Sequence, residues 1–375
     1  MSEIHLHIIS FNIPYPPNYG GVIDVFYKVK ALHRAGVKVH LHCFEYGREI
    51  PQELNKLCEH IYYYKRNTSV LSAVSHTPYI VKSRKSEDLM ANLLKDDYPI
   101  LFEGLHTCYY LDDNRLANRF KIYRESNIEH LYYYNLFKSE NNLFKRIYFL
   151  LAGLKLRIYQ RTLKYANLML VVSESDTTYL KDKFKLNEVV YLPSFHSNDI
   201  ITTKTGTGDY VLYHGNLSVP ENEQAANYLI EKVFKDLQIP LIIAGLNPSE
   251  RLKSLVNKHK NISLIANPDE DKMNTLIEDA QINILHTYQA TGLKLKLLNT
   301  LYKGRYCLVN SKMLAGTNLD SLCYIADSPE SFIEKLNLLF KKEFTTSEID
   351  IRREVLQKNY SNETNLNKLV GFLTR

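Results

Sequence analysis

Tryptophan is absent from these 375 residues, and cysteine, glycine and proline are few, at 5, 14 and 12. The cysteines, Cys43, Cys58, Cys108, Cys307 and Cys323, are odd in number and scattered. No Cys-x-x-Cys pair is present, so the patterns of a zinc site and of a redox dithiol are missing, and the five read as reduced thiols. No stretch reaches the roughly 20 apolar residues that span a bilayer. The opening Met-Ser-Glu-Ile-His-Leu-His carries no basic leader ahead of a cleavable apolar run, so the expectation is a cytoplasmic protein. A Gly-x-Gly-x-x-Gly fingerprint is also missing, which disfavours a nicotinamide dinucleotide site. Low-complexity segments and short-period repeats are not found either.

What is present is a chain with 45% hydrophobic residues, enough to bury two cores rather than one. The net charge of +6 is concentrated. Between Lys138 and Lys164 stand Lys138, Lys145, Arg146, Lys155, Arg157, Arg161 and Lys164 against one acid, Glu140. Nucleic acid, anionic lipid and phosphorylated substrates would all reward such a patch. No nucleic-acid motif accompanies it, and the expectation is no nucleic-acid partner. Phe144, Ile147, Tyr148, Phe149, Leu150 and Leu151 are interleaved with these cations. They fit a helix lying on an anionic membrane at the inner face of the cell membrane, or a long helix packed on its own lobe, and the need for core residues favours packing.

Strand-length apolar runs alternate with helical periodicity along nearly the whole chain, the pattern of βαβ units and parallel sheets. Residues 4–11, 37–44, 60–64, 100–103, 121–124, 168–173 and 189–192 read as strands of a first lobe. Residues 210–214, 241–244, 262–265, 282–286 and 306–310 read as strands of a second. Between them runs a polar stretch from Ser194 through Thr202-Thr-Lys-Thr-Gly-Thr-Gly, without apolar period. The expected fold is α/β, two tandem doubly wound Rossmann-like domains. Domain limits fall at 1–195 and 196–350, with a C-terminal helix in 351–375 crossing back to the first. Ligands of open parallel sheets bind beyond the carboxyl ends of strands, so an interdomain cleft is the expected site.

The loop after the first strand, Pro14-Tyr-Pro-Pro-Asn-Tyr, leads to Gly20 and Gly21 at a helix start. They offer close backbone approach and unpaired N–H groups to an oxyanion, or make an ordinary turn. Two further segments resemble known ones. Asn127-Ile-Glu129-His130-Leu-Tyr-Tyr is similar to the N-I-E-H-x-Y-Y element of a bacterial branch of family 4 glycosyltransferases, which have the GT-B fold. Val211-Leu-Tyr-His-Gly215-Asn216-Leu-Ser-Val-Pro-Glu-Asn222 resembles the first strand and glycine turn of that family's donor-binding domain. With the linker and Gly292 to Gly304, the resemblance covers most of the chain.

The resemblance implies a glycosyltransferase, of hexosyltransferase type, that moves a sugar from a nucleotide diphosphate sugar to a saccharide or lipid-linked acceptor. Retention of configuration, no metal ion, no cofactor beyond the nucleotide-sugar co-substrate, and a role in surface polysaccharide or glycolipid synthesis go with it. It places Gly215, Asn216, Gly292, Leu293, Lys294 and Asn299 around the donor, and Lys296 beside its phosphates. A diphosphate leaving group needs positive charge and oriented N–H donors, which a first-turn lysine on a helix supplies. Lys294 and Lys296 also fit the plainer reading of solvated lysines on an amphipathic helix.

The chain departs from the family pattern where its paired glutamates belong, since Thr291 and Asn299 stand there. The basic pair after the glycine turn is missing too, with Asn216 and Asn222 in its place. His106 aligns with the family's active-site histidine, and Glu103 is a second polar group at the same strand end. A histidine satisfied by backbone would look the same in sequence. Arg124, Glu125, Asn127, Glu129 and His130 fit ligand binding or a helix start equally. His196 reads as hinge packing. A nucleotide-sugar epimerase and a catalytically degenerate binding subunit of the same fold are the alternatives.

Overall fold

The protein is described here from a computed structural model covering residues 3–69, 75–140, 142–185, 187–289 and 294–375. The chain divides into two compact units. The first comprises residues 1–197, 291–293 and 360–375, and the second residues 198–290 and 294–359.

Seven parallel strands build the first unit: β1 (His5–Ser10), β2 (Lys38–Glu45), β3 (His60–Lys65), β4 (Ile100–Glu103), β5 (Lys121–Glu125), β6 (Leu168–Val171) and β7 (Glu188–Tyr191). Their order is β3-β2-β1-β4-β5-β6-β7, which reverses direction of winding between β1 and β4. Such a switch point opens a crevice at the carboxyl ends of the strands. β4 and β6 are buried along their whole length, as strands covered on both faces must be.

Three helices of this unit matter for function. Helix α1 (Gly20–Arg34) follows β1 and presents Val22, Val25, Val29 and Leu32 inward. Helices α2 (Glu129–Ser139) and α3 (Leu143–Tyr159) follow β5 and pack on one another. Most apolar side chains of α3 do not serve as core: Leu143, Phe144, Ile147, Tyr148, Leu150, Leu151, Leu154 and Ile158 are exposed, Phe144 at 83%. Period alone cannot tell which face of a helix is covered, and here the inner face is the narrow one formed by Phe149, Gly153 and Leu156.

A buried ionic knot ties the middle of this unit. Lys28 of α1 donates to Glu103 at 2.6 Å and to Asp24 at 3.1 Å, and Arg124 of β5 donates to Asp24 at 2.9 Å. Arg124 also reaches the carbonyls of Leu192 and Pro193, and Asp24 accepts from the Phe195 backbone N–H at 2.7 Å. Although burial opposes ionisation, Arg124 and Lys28 hold the Asp24 carboxyl at about 2. The C-terminal helix Asn362–Leu373 packs Leu369 and Phe372 into the same core, and Asn365 donates to the Pro193 carbonyl. His196 is a packing residue, its ring bonding the Tyr360 carbonyl at 2.8 Å.

The second unit has six parallel strands: β8 (Val211–Asn216), β9 (Leu241–Leu246), β10 (Ile262–Ala266), β11 (Ile282–Leu285), β12 (Tyr306–Val309) and β13 (Tyr324–Ile325). Their order, β10-β9-β8-β11-β12-β13, again switches beside the first strand of the unit. Helix α4 (Pro220–Tyr228) follows β8, with proline in its first turn, and α5 (Leu295–Lys303) follows β11. The polar stretch before β8 is tied to this unit rather than loose. Thr202 N–H donates to the Tyr302 carbonyl, and Gly206 pairs with Phe344. The expected α/β fold of two tandem Rossmann-like domains is what the chain adopts.

Candidate functional sites on the two units

In the second unit, Tyr213 of β8 and Asn222 of α4 meet at Lys296. Gly215 is the penultimate residue of β8, and a Cβ on it would meet the Asn222 side chain at 3.3 Å. The neighbouring strand approaches so closely that a Cβ on Gly245 would fall 1.8 Å from the Gly215 carbonyl. This tight crossing lets Asn222 of α4 fold back, its amide N–H donating to the Asn216 carbonyl at 2.9 Å. Its amide oxygen then accepts from the Lys296 ammonium at 3.3 Å. Tyr213 completes the support: its hydroxyl donates to the Asn222 carbonyl, and the Lys296 ammonium lies 5.5 Å from its ring centre.

Lys296 is on the first turn of α5, where the helix N–H groups also point. The N-cap residue of this helix, Lys294, makes no side-chain capping bond. Burial lowers the lysine to about 8, with Glu221 opposing and Lys294 adding to the shift. Glu221 is itself an organiser. One of its oxygens accepts from the Thr287 hydroxyl at 2.6 Å and from the Tyr288 and Gln289 N–H groups at 2.9 and 3.0 Å, fixing the loop after β11.

His214 and His286 stand near the same lysine. Burial and Lys296 hold His214 at about 3 and His286 at about 4, so both are neutral. His214 contacts the Thr300 hydroxyl at 3.3 Å, which makes Thr300 an inward residue. His286 is stacked on Tyr228, with ring centres 4.6 Å apart, and neither ring nitrogen has a partner among the described residues. The amide oxygen of Asn299 is likewise buried and unpartnered. The Asn216 side chain is occupied locally, accepting from Ser218 N–H and hydroxyl. Lys294 is the residue before α5 rather than part of it. Gly292 and Leu293 lie outside the described residues, as does Thr291.

In the first unit, His106 lies just beyond β4, after Gly104, whose positive φ of 73° turns the chain. Its Nδ1 is 3.7 Å from Glu129, the first residue of α2, and its ring is 5.5 Å from that of Phe11. Despite this proximity the two are not an ion pair. Burial, with Arg84 and Arg66, lowers His106 to about 3, and burial raises Glu129 to about 8 against the pull of Arg84. A neutral imidazole therefore faces a carboxyl that is mostly protonated at neutral pH. Arg84 is fastened to the Phe11 carbonyl by Nε and an Nη at 3.0 and 2.9 Å. Gly21 is needed because a Cβ there would fall 2.6 Å from the Phe11 ring; Gly20 precedes it as the first residue of α1.

The structure thus groups His106 with Glu129, Arg84, Phe11 and Gly21 at the carboxyl ends of β1, β4 and β5. Glu103 is spent elsewhere, in the buried knot with Lys28, and Arg124 with it. Glu125 accepts from the Tyr123 hydroxyl at 2.6 Å and the Asn127 N–H at 3.1 Å. The N-cap of α2 is Ile128, without a side-chain capping bond, so Asn127 is not the cap of this helix. Sequence reasoning missed Arg84, Glu221, Tyr213 and His286. Only Glu221 carried a signal, as an acid in the first turn of a helix, and that signal concerns the helix rather than a loop 66 residues away.

Two parallel-sheet Rossmann-like units in tandem are the GT-B architecture, and among solved structures the similarity runs over the whole chain. TarM matches with a TM-score of 0.71 at 11% identity, over 100% of this chain and 99% of its own. The sucrose-phosphate synthase of Thermosynechococcus elongatus matches at 0.70 and 13% identity, over 99% and 98%. HepE of Anabaena, crystallised with UDP, matches at 0.68 and 10% identity, over 99% of each chain. In sequence, an uncharacterized 44.6 kDa protein in the cps region of Klebsiella pneumoniae is 28% identical over 333 residues, 83% of this chain and 84% of that protein. No family model matches the sequence. Among the described residues, no group of three or more His, Cys, Asp or Glu side chains could hold a metal ion, and no helix is long and apolar enough to cross a membrane.

Proposed function

We propose that this protein is a glycosyltransferase that takes a sugar from a nucleoside diphosphate sugar bound by the second unit and passes it to a saccharide or lipid-linked acceptor bound by the first. The carrying observation is Lys296: an enclosed ammonium on an uncapped helix start, set against a neutral amide and a tyrosine ring at the carboxyl ends of a parallel sheet. An enclosed cation without a carboxylate bonded to it is a site that gains by meeting a phosphate. HepE and TarM, of the same fold, have been crystallised with UDP, which supports the same reading of the second unit.

In the reaction proposed, the bond between the anomeric carbon and the β-phosphate oxygen breaks while the acceptor oxygen adds on the same face. Attack on that face retains configuration, and the acceptor proton passes to the departing diphosphate. Lys296 and the N–H groups opening α5 stabilise the charge that develops on the leaving group, as a metal ion would in other enzymes. His106 and protonated Glu129 serve as neutral hydrogen-bonding groups for the acceptor. The place of the Klebsiella relative in a cps region supports surface-saccharide assembly as the setting.

Asn299 favours a second reading, a protein that binds nucleotide without turnover, because an amide holds a ribose hydroxyl less firmly than a carboxylate. Incubation with a panel of sugar nucleotides and acceptor oligosaccharides, read by release of free nucleoside diphosphate, separates the two. Consumption of one donor, with an axial or equatorial product matching that donor by NMR coupling, is the result expected of a retaining transferase. Binding without consumption of any donor assigns the silent reading.

A further inference from the structure

Helix α3 inverts the usual arrangement of a surface helix. Its packed side is Phe149, Gly153 and Leu156, and its outward side is apolar. At 100° per residue, Leu143, Phe144, Ile147, Leu151, Leu154 and Ile158 share an arc of about 100°, and all six are exposed. Arg146 and Arg157 border this arc on one side and Lys155 on the other, and no acid occurs from Leu143 to Tyr159. Beside it opens a groove of about 330 Å³, lined by Pro78, Tyr79, Ile80, Tyr133, Tyr148 and Leu151 among others.

A wide apolar stripe kept in water is costly, and on a soluble surface it marks something that covers it. A second copy of this chain is a poor cover. Stripe against stripe would bring two sets of Lys145, Arg146, Lys155 and Arg157 together and set like charges against each other. An anionic bilayer matches both features at once, hydrocarbon to the stripe and phosphate to the cations. We propose that this face of the first unit docks on an anionic phospholipid surface, with the apolar side chains entering the acyl boundary and the groove receiving part of a lipid chain. The inference stands on α3 and the groove beside it, and holds whether or not the second unit binds a sugar nucleotide.

The absence of tryptophan makes a direct test available. In the full chain, Phe144→Trp provides a single indole at the most exposed point of the stripe. Vesicles of phosphatidylglycerol and phosphatidylcholine are expected to shift its emission to the blue and to sediment the protein, less so as salt is raised. Pure phosphatidylcholine vesicles are expected to bind far less. Leu151→Ser with Ile158→Ser is expected to weaken binding about tenfold or more, at unchanged melting temperature. Sedimentation of wild-type protein with the same vesicles repeats the test without the reporter. No binding of wild type to anionic vesicles overturns the proposal, as does binding that ignores the serine substitutions. A concentration-dependent dimer abolished by those substitutions, in a protein that ignores vesicles, assigns the face to a second copy instead.

Discussion

The Asn222 amide bridges the two segments of the second unit that a phosphate would have to meet: its N–H group bonds the Asn216 carbonyl at the end of β8, and its oxygen receives the Lys296 ammonium at 3.3 Å. The asparagine gives the lysine a neutral partner, one that a phosphate oxygen would replace in the proposed function. Asn222→Asp converts that partner into a carboxylate. The substitution is expected to raise the lysine's pKa and to weaken nucleoside diphosphate binding about tenfold or more, because the new charge competes with the phosphate. Calorimetric titration of wild type and variant checks this.

Lys296 also sets a pH dependence. Burial lowers it to about 8, so it is charged below that value and loses its proton above it. Nucleoside diphosphate affinity is expected to be flat from pH 6.5 to 7.5 once the nucleotide's own ionisation is allowed for, and to fall as pH rises from 8 to 9.5. Lys296→Arg, which keeps its charge throughout, is expected to abolish the fall whatever its effect on affinity at neutral pH. Binding curves for the two proteins at pH 7 and 9 test this.

Glu221 holds the loop after β11 with three hydrogen bonds to one oxygen. Glu221→Ala removes all three and is expected to cost about 2–4 kcal/mol of stability, since bonds to a charged acceptor contribute about 1.5–3 kcal/mol each and water replaces part of the loss. Nucleotide affinity should decline with it, because the loop leads directly into the segment before α5. Denaturant titration and nucleotide binding on the same preparations check both effects.

Glu103 and His106 lie three residues apart and are expected to fail in opposite ways. Glu103→Ala leaves Lys28 short of a buried partner and should destabilise by about 3–5 kcal/mol. His106→Ala, which removes no hydrogen bond found among the described residues, should leave the melting temperature nearly unchanged and lower turnover without changing nucleotide affinity. Thermal unfolding, nucleotide binding and turnover together tell a structural carboxylate from an acceptor-side histidine.

A histidine ladder crosses β1 and β2. His5 meets His40 at 3.0 Å, His7 meets His42 at 2.8 Å, and His7 also bonds Asp96 at 2.9 Å. Burial lowers His40 to about 4 and His42 well below its usual value, and His7 is lowered although Asp96 opposes. These histidines therefore bind fewer protons in the folded protein than in the unfolded chain as pH falls below about 6.5. The stability these histidines contribute is fully present above about 6.5 and is lost as pH falls toward 4. Glu129, raised to about 8, acts in the opposite direction above its usual range. The melting temperature is expected to drop between pH 6.5 and 5, and by less in His40→Gln; scanning calorimetry decides it.

The sheets were legible because their strands are short apolar runs with clear punctuation. All twelve expected strands occur, within two residues at each end, and among the described residues only the two-residue β13 goes unread, being too short to show a period. The roles of side chains were less legible. Glu103 and Arg124 sit at strand ends exactly as ligand-binding residues would, and their capture by Lys28 and Asp24 depends on α1, some 75 to 100 residues earlier. The stripe on α3 has the composition of a core helix, and only its surroundings show that it faces outward. The position of Lys296 on the first turn of a helix is legible in the sequence, whereas its contact with the Asn222 amide, 74 residues away, is not.

The central claim is that the second unit binds a nucleoside diphosphate through Lys296, and thermal stabilisation across UDP, GDP, CDP, ADP and dTDP, with NAD as control, tests it most directly. The account predicts that one diphosphate raises the melting temperature selectively and that Lys296→Ala, itself folded, loses the rise. No shift with any of the five, or an equal shift in Lys296→Ala, would contradict it.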